Sequence, residues 1–394
     1  MKLRVAPLLA CAVTAAAALA ATAGAGTSSA DATEQVSCKS TITLPLVTPV
    51  TGGAAILGTE QASWLRYAAK TLGPKYGLKI RAILADTPVE QGAGVAQTAA
   101  QRLIANKSVV AVIGPSTSGA VAASSQAYFD AGLAHISPSA TRTSLTKGPR
   151  LEATKAFFRV VPGDYIQGPS DARFMIDKLK VKKVVLVDFQ EPYSQGLVET
   201  MDPLLKAKNV STSRISIPNT VTDFSSFVTR VPTDADIVFF ATQKPGDAQT
   251  FAKQLVEQGR RAKVFGGDGA NNETSFNIPG AYVSNFAPDI SGIKTSRAIL
   301  AGWKKDNPGA TLGSFGPPTY LAVQVALNAI KRACNKGNGT IENRRDVFRN
   351  VKRIFVKDSI LGGNFRFSTK SNDPLNGKFY IFQIQSNGKY KLIG

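Results

Sequence analysis

The 394-residue chain contains three cysteines, one histidine, two tryptophans and three methionines. With so few Cys and His side chains, a structural zinc site of the usual kind is excluded and no metal centre is expected. No Walker or dinucleotide-binding glycine pattern occurs, so no cofactor is expected either. After residue 30 there is no apolar run long enough to span a bilayer. Low-complexity segments and short tandem repeats are also missing. Acidic residues are few, with 27 Asp and Glu against 47 Lys and Arg, a formal net charge of +20.

The one long apolar run lies at the N-terminus. Lys2 and Arg4 precede Val5 to Ala20, and small residues follow in "ATAGAGTSSA". This is the order of a secretory signal peptide, with cleavage fitting after Ala25 or Ala30. Cys11 falls inside that leader, and Leu9 stands where an acylation motif favours a smaller residue. An exported product is expected, in the periplasm or at the cell surface. Removal of Lys2 and Arg4 leaves about +18, from 20 minus 2. Such a surface suits anionic neighbours, but the bases are scattered. They cluster only in "KLKVKK" (178–183) and "NRRDVFRNVKRIF" (343–355). In the latter Val347, Val351 and Ile354 share one helical face, which leaves the arginines to water. No nucleic-acid partner is expected of an exported chain. Cys38 and Cys334 remain in an oxidising compartment, where pairing is the default and two buried thiols the alternative.

Strand-like runs at 41–48, 78–85, 109–113 and 133–137 alternate with helical patterns such as 92–105. The rhythm restarts with strands at 182–189, 210–217, 236–242 and 262–267 and helices near 165–179, 194–208 and 245–259. This predicts two α/β units with parallel sheets. Three helical patterns follow, at 295–306, 319–335 and 343–353, and then two short runs joined by Ser386-Asn387-Gly388, a hairpin signal. Helices without their own sheet must pack on one already built, so they should return to the first unit while the hairpin joins the second. Two lobes joined by several strands make a hinged clamshell.

In an open parallel sheet, ligands bind beyond the carboxyl ends of the strands. The 109–113 run empties into Ser116, Thr117 and Ser118 just where a helix begins, and 133–137 ends in Ser137, Ser139 and Thr141. A helix N-terminus between such tips suits an anion; the alternative is that Ser118 merely caps the helix. His135, flanked by apolar residues, reads as a hydrogen-bonded core histidine.

The chain resembles the type 1 periplasmic binding proteins, specifically the leucine/isoleucine/valine-binding family of ABC-transporter substrate-binding proteins, from about 41 to 385. Seven pieces occur in family order: "VTGGAAILG" (50–58), "ADTPVEQGAGVAQTAAQRLI" (85–104), "VIGPSTSG" (112–119), "ISPSAT" (136–141), "FFRVVPGDYIQGP" (157–169), "DFQEPYSQGL" (188–197) and "FGGDG" (265–269). The resemblance implies two Rossmann-like lobes joined by three crossover segments. Lobe 1 would comprise 39–160 plus 288–363, and lobe 2 would comprise 161–287 plus 364–394. It implies an amino-acid ligand, an ABC permease as membrane partner, and a monomer. Ser118 and Thr141 take the positions that hold the ligand carboxylate, with Ser139 and Ala140 alongside. Tyr193 and Asp268 face them from the second lobe, Asp268 pairing with the ligand ammonium. Asp164 takes a hinge or cleft-lining position. Leu57 stands where a larger aromatic often packs on the ligand side chain. Gln243 and Lys244 replace a ligand-touching aromatic. Lys244 either lies near the side-chain end, favouring a polar or acidic ligand, or points to solvent. Two other readings are carried forward. One is an envelope adhesion or ligand-sensing protein, which the basic surface would suit. The other is a secreted serine hydrolase, which "GPSTSG" only approximates because Ser118 stands where the second glycine of a nucleophile elbow belongs.

Overall fold

The computed structural model describes residues 35–394, and the expected signal peptide lies outside them. A two-residue strand, β1 (Val36–Ser37), precedes five strands: β2 (Thr41–Thr48), β3 (Lys79–Asp86), β4 (Ala111–Ile113), β5 (Ala134–Ser137) and β6 (Phe157–Arg159). These five form an all-parallel sheet in the order β3-β2-β4-β5-β6. A second series follows: β7 (Lys183–Asp188), β8 (Ser211–Ser216), β9 (Ile237–Phe240), β10 (Lys263–Gly266) and β11 (Tyr282–Asn285). It repeats the same order, β8-β7-β9-β10-β11, again all parallel. The short strands β12 (Thr340–Ile341), β13 (Phe355–Val356) and β14 (Phe365–Arg366) come next, and β12 pairs with β1. Finally β15 (Tyr380–Ile384) and β16 (Tyr390–Leu392) form an antiparallel hairpin that extends the second sheet along β11.

Each sheet is apolar on both faces, as burial between two helical layers requires. Along β2, Ile42, Leu44 and Leu46 enter one core while Val47 enters the other. In β7, Val185 and Val187 face one way and Val184 and Leu186 the other. The tail helices Arg297–Asp306, Gly316–Lys336 and Arg344–Val351 contribute Trp303, Leu321, Val347 and Val351 to the core under β2, β4 and β5. Trp303 stacks on Trp64 of helix Ala55–Lys75 with ring centroids 4.7 Å apart. In Arg344–Val351 the valines are buried, Arg345 is half-buried and Arg349 is exposed, so the charged side chains lie off the apolar face that the spacing implies.

Cys38 and Cys334 are joined by a disulfide across 296 positions. The two-residue strands β1, β12, β13 and β14 escaped the reading of the sequence, and so did two strands of the large sheets. β6 is three residues long and includes a fully buried arginine, and β11 ends in polar Ser284 and Asn285. The strand read at 109–113 is shorter, Ala111–Ile113: Val109 makes an isolated parallel bridge to Thr43 of β2, while its N–H closes a turn to Asn106 O (3.0 Å).

Candidate functional site

In both sheets the strand order reverses beside the first strand of the series, so switch points lie between β2 and β4 and between β7 and β9. The expected site residues sit at equivalent strand ends on either side. Ser118 follows β4 as Lys244 follows β9. Ser139, Ala140 and Thr141 follow β5 as Asp268 follows β10. Leu57 follows β2 as Tyr193 follows β7.

On the first side, Gly114 has φ +92° and an added Cβ would stand 2.5 Å from Val47 O, so only glycine lets the chain leave β4 here. The loop hydroxyls then interlock around Gln61, a residue that the sequence did not single out. Thr48 Oγ1 (2.7 Å) and Ser116 Oγ (2.6 Å) donate to Gln61 Oε1, and Gln61 Nε2 donates to Ser139 Oγ (3.0 Å). Ser139 Oγ donates in turn to Ser116 O (2.7 Å), and the Ala140 N–H donates to Ser137 Oγ (2.9 Å). Ser139 and the Ala140 amide are therefore engaged in holding the loops.

Ser118 is the first residue of helix Ser118–Asp130, not its cap. The cap position is Thr117, and no side chain caps the first turn. Ser118 Oγ accepts from the Arg142 N–H (3.2 Å), which leaves its proton to donate elsewhere. The Thr141 hydroxyl is fully buried beside the Asp164 carboxyl.

On the second side, Glu191 caps helix Pro192–Ala207, accepting from Tyr193 N (2.9 Å) and Ser194 N (2.7 Å). This fixes Tyr193, whose hydroxyl donates to Asp268 Oδ1 (2.7 Å) and accepts from Gly269 N (3.2 Å). Burial pushes the Asp268 carboxyl up to about 6, opposed by the Tyr193 and Gln167 hydrogen bonds. It also pushes the Tyr193 phenol well above its usual value. Asp164 opens helix Asp164–Asp177, and its N–H donates to Thr141 O (2.8 Å), so it bridges the two sides. Burial, then the Asp268 charge, pushes its carboxyl up to about 8 against the Thr141 hydroxyl, Arg159 and Arg142.

Arg159 was also unforeseen. It pairs with Asp373 (2.7 Å) and donates to Ala140 O (3.2 Å) and Arg142 O (3.0 Å), pinning the 140–142 loop from behind. The two sides touch at Arg142, which donates to Pro192 O, and at Asn219, whose Nδ2 donates to Val89 O (3.2 Å).

Lys244 does not point to solvent. It is 5% exposed, pairs with Asp247 Oδ2 (2.9 Å), donates to Asn219 O (2.6 Å) and lies over the Phe189 ring. A cation so neutralised gives no preference for an acidic ligand, which removes that expectation. Leu57 is buried in the first core. His135 accepts or donates at Nε2 with Ser125 Oγ (3.0 Å) inside that unit, and burial pushes it down to about 3. Ser125 and His135 are both fully buried, and among the described residues His135 Nδ1 has no hydrogen-bond partner, so the ring sits as a hydrogen-bonded core histidine.

Residues 41–389 match the periplasmic binding protein family. The chain belongs to that family. The Leu/Ile/Val-binding protein BraC3 of Rhizobium johnstonii is 27% identical over 301 residues, 74% of this chain and 79% of the relative. The Leu/Ile/Val-binding protein homolog 1 of Brucella abortus is 25% identical over 359 residues, 88% and 91% of the two chains. Among solved structures, the leucine binding protein LivK of Thermotoga maritima has the same fold, with a TM-score of 0.79, 19% identity and coverage of 90% and 98%. The branched-chain amino acid transporter substrate binding protein LivJ of Streptococcus pneumoniae, solved with isoleucine, follows at 0.76, 22% identity and coverage of 90% and 99%.

Proposed function

We propose that the protein is the extracytoplasmic solute-binding component of an ABC importer, and that it captures an amino acid or close relative between two lobes by hinge closure. The lobes are 39–160 with 288–363 and 161–287 with 364–394. The observation that carries this reading is the polarity of the cleft. An uncapped helix N-terminus with the Ser118 and Thr141 hydroxyls stands on one side. The Tyr193–Asp268 pair stands on the other. The first favours a carboxylate and the second an ammonium, which together fit a zwitterion. Ser139 and Ala140 shape the loop, Asp164 lines the cleft at the crossover, and Leu57 and Lys244 border it. The relatives' names, which concern leucine, isoleucine and valine, support an amino-acid ligand. The protein acts by binding and release, without catalysis, as an exported monomer that delivers its ligand to a membrane permease.

Thermal melting of the mature protein against L-amino acids, carboxylates and amides tests this. A ligand at a hundred times its Kd adds about 2.7 kcal/mol, a shift of a few degrees. The shift should need both α-carboxylate and α-amine. Ser118→Ala and Asp268→Ala should each weaken binding about tenfold or more while leaving the ligand-free melt in place. A response to non-amino carboxylates alone would overturn the ammonium role of Asp268.

A further inference from the structure

A second concavity lies where the chain passes between the two sheets. It encloses about 700 Å³, within the range of about 300–1,000 Å³ usual for small-molecule sites. None of Ser118, Thr141, Tyr193 and Asp268 lines it, but all three passages do. Val160 and Pro162 follow β6, Phe286 and Pro288 follow β11, and Pro374 to Lys378 precede β15.

The inner wall is apolar. Val160, Phe286, Leu321 and Phe365 belong to the core under the first sheet, and Ile293 and Leu361 pack against it. The outer wall is a small antiparallel sheet. β13 pairs with β14 so that Phe355 stands opposite Arg366 and Val356 opposite Phe365. On the other edge of β14, the Leu375 N–H donates to Arg366 O (3.0 Å). Side chains alternate between the faces of such a sheet. Val356, Phe365 and Phe367 therefore enter the core, while Phe355, Arg366 and Leu375 form an exposed row on strands about 4.8 Å apart. Phe355 is 50% exposed and Leu375 41%, among the described residues two of the few large apolar side chains left so open.

The lining is cationic as well as apolar. Arg366 and Lys378 are exposed and form no ion pair among the described residues. Arg142, Arg159 and Lys244, by contrast, each hold a carboxylate. No Asp or Glu lines the concavity, and Asp373, beside Pro374, is buried against Arg159. Asn364 Oδ1 accepts from the Asp358 N–H (3.1 Å), which leaves its amide nitrogen to donate.

Apolar walls beside unpaired cations complement a molecule with an apolar body and an anionic end. We propose that this concavity binds a free amphipathic monoanion of the fatty-acid class. The tail lies along Val160, Phe286, Leu321 and Leu361, and the carboxylate sits on Arg366, with Lys378 adding attraction from the rim. A guanidinium meets a carboxylate through two parallel N–H bonds, and Phe355 and Leu375 on either side cover the first methylenes. A flat bilayer would meet only the exposed row and leave the inner wall uncovered. The site is separate from the cleft and does not depend on the amino-acid reading.

Titration calorimetry of the mature protein with decanoate, below its micellar concentration, tests this. One molecule should bind per chain. Octanoate lacks two of the buried methylenes and should bind about tenfold more weakly. Decylammonium should bind at least about tenfold more weakly than decanoate. Arg366→Gln and Leu375→Glu change exposed side chains, and each should lower decanoate affinity about tenfold; their melts check folding. Ser118→Ala should leave decanoate affinity unchanged. Equal affinity for decylammonium, or none of the dependence on chain length, would overturn the inference. Loss of decanoate binding in Ser118→Ala with full affinity in Arg366→Gln would put the ligand in the cleft and overturn it too. Absence of decanoate binding would also overturn it, and association with phosphatidylglycerol vesicles in that case would make the exposed row a bilayer contact.

Discussion

Asp164 and Asp268 sit in surroundings that favour their neutral forms, with folded-state values of about 8 and about 6 against an ordinary 3.8. A carboxyl raised on folding binds its proton more tightly in the native state. Its stabilising effect is full below pH 4 and declines as pH rises to the folded value. Ligand-free protein should thus lose stability between pH 5 and pH 8 through Asp164, and Asp164→Asn should flatten that decline in melts across the range. An unchanged slope would place the proton elsewhere. Ser118 and Thr141 stand out in the sequence because strand ends in a parallel sheet are where ligands bind, whereas Tyr193 and Asp268 are singled out by the family resemblance alone. Gln61 and Arg159 were not legible, since their roles depend on partners 55 and 214 positions distant. Nothing local to "TEQAS" marks a glutamine that two loops will surround.

Helix Gly316–Lys336 starts against helix Ala55–Lys75, and the capping group comes from the neighbour. Glu60 accepts from Gly316 N (2.7 Å) and Phe315 N (3.4 Å), and burial pushes its carboxyl up to about 7 despite those bonds. A carboxylate at a helix N-terminus satisfies orphan N–H groups and meets the positive dipole end. Glu60→Ala should lower stability by about 1 kcal/mol, read by urea titration, with ligand affinity unchanged. Most elements were legible from periodicity, because two-sided burial makes central strands continuously apolar. Those that escaped were short or polar-tipped. β6 depends on Asp373 to neutralise Arg159, and only the assembled third crossover supplies that aspartate.

The disulfide ties residue 38, ahead of the first strand, to the end of a helix near the opposite terminus. A bridge spanning 296 positions is expected to contribute about 3–5 kcal/mol in the chain-entropy picture. Reduction, or Cys38→Ser with Cys334→Ser, should lower the melting temperature while leaving ligand affinity within about twofold, because the bridge lies at the strand ends away from the cleft. Melting and titration of the same sample check both. The two-unit plan was legible from the restart of the strand–helix rhythm. Which unit the tail helices join follows from their lack of a sheet, a global constraint that no local pattern carries.

The five parallel strands of the second sheet come from one uninterrupted stretch, whereas the core under the first sheet includes Leu321, Ala326 and Ile330 from far downstream. As the chain emerges from the ribosome, Lys183–Asp188 through Tyr282–Asn285 can therefore assemble while the earlier half still lacks one wall. The half synthesised first is completed later. Until residue 334 arrives, its apolar strands stay open to solvent, and that interval is when a holding chaperone would have most to cover.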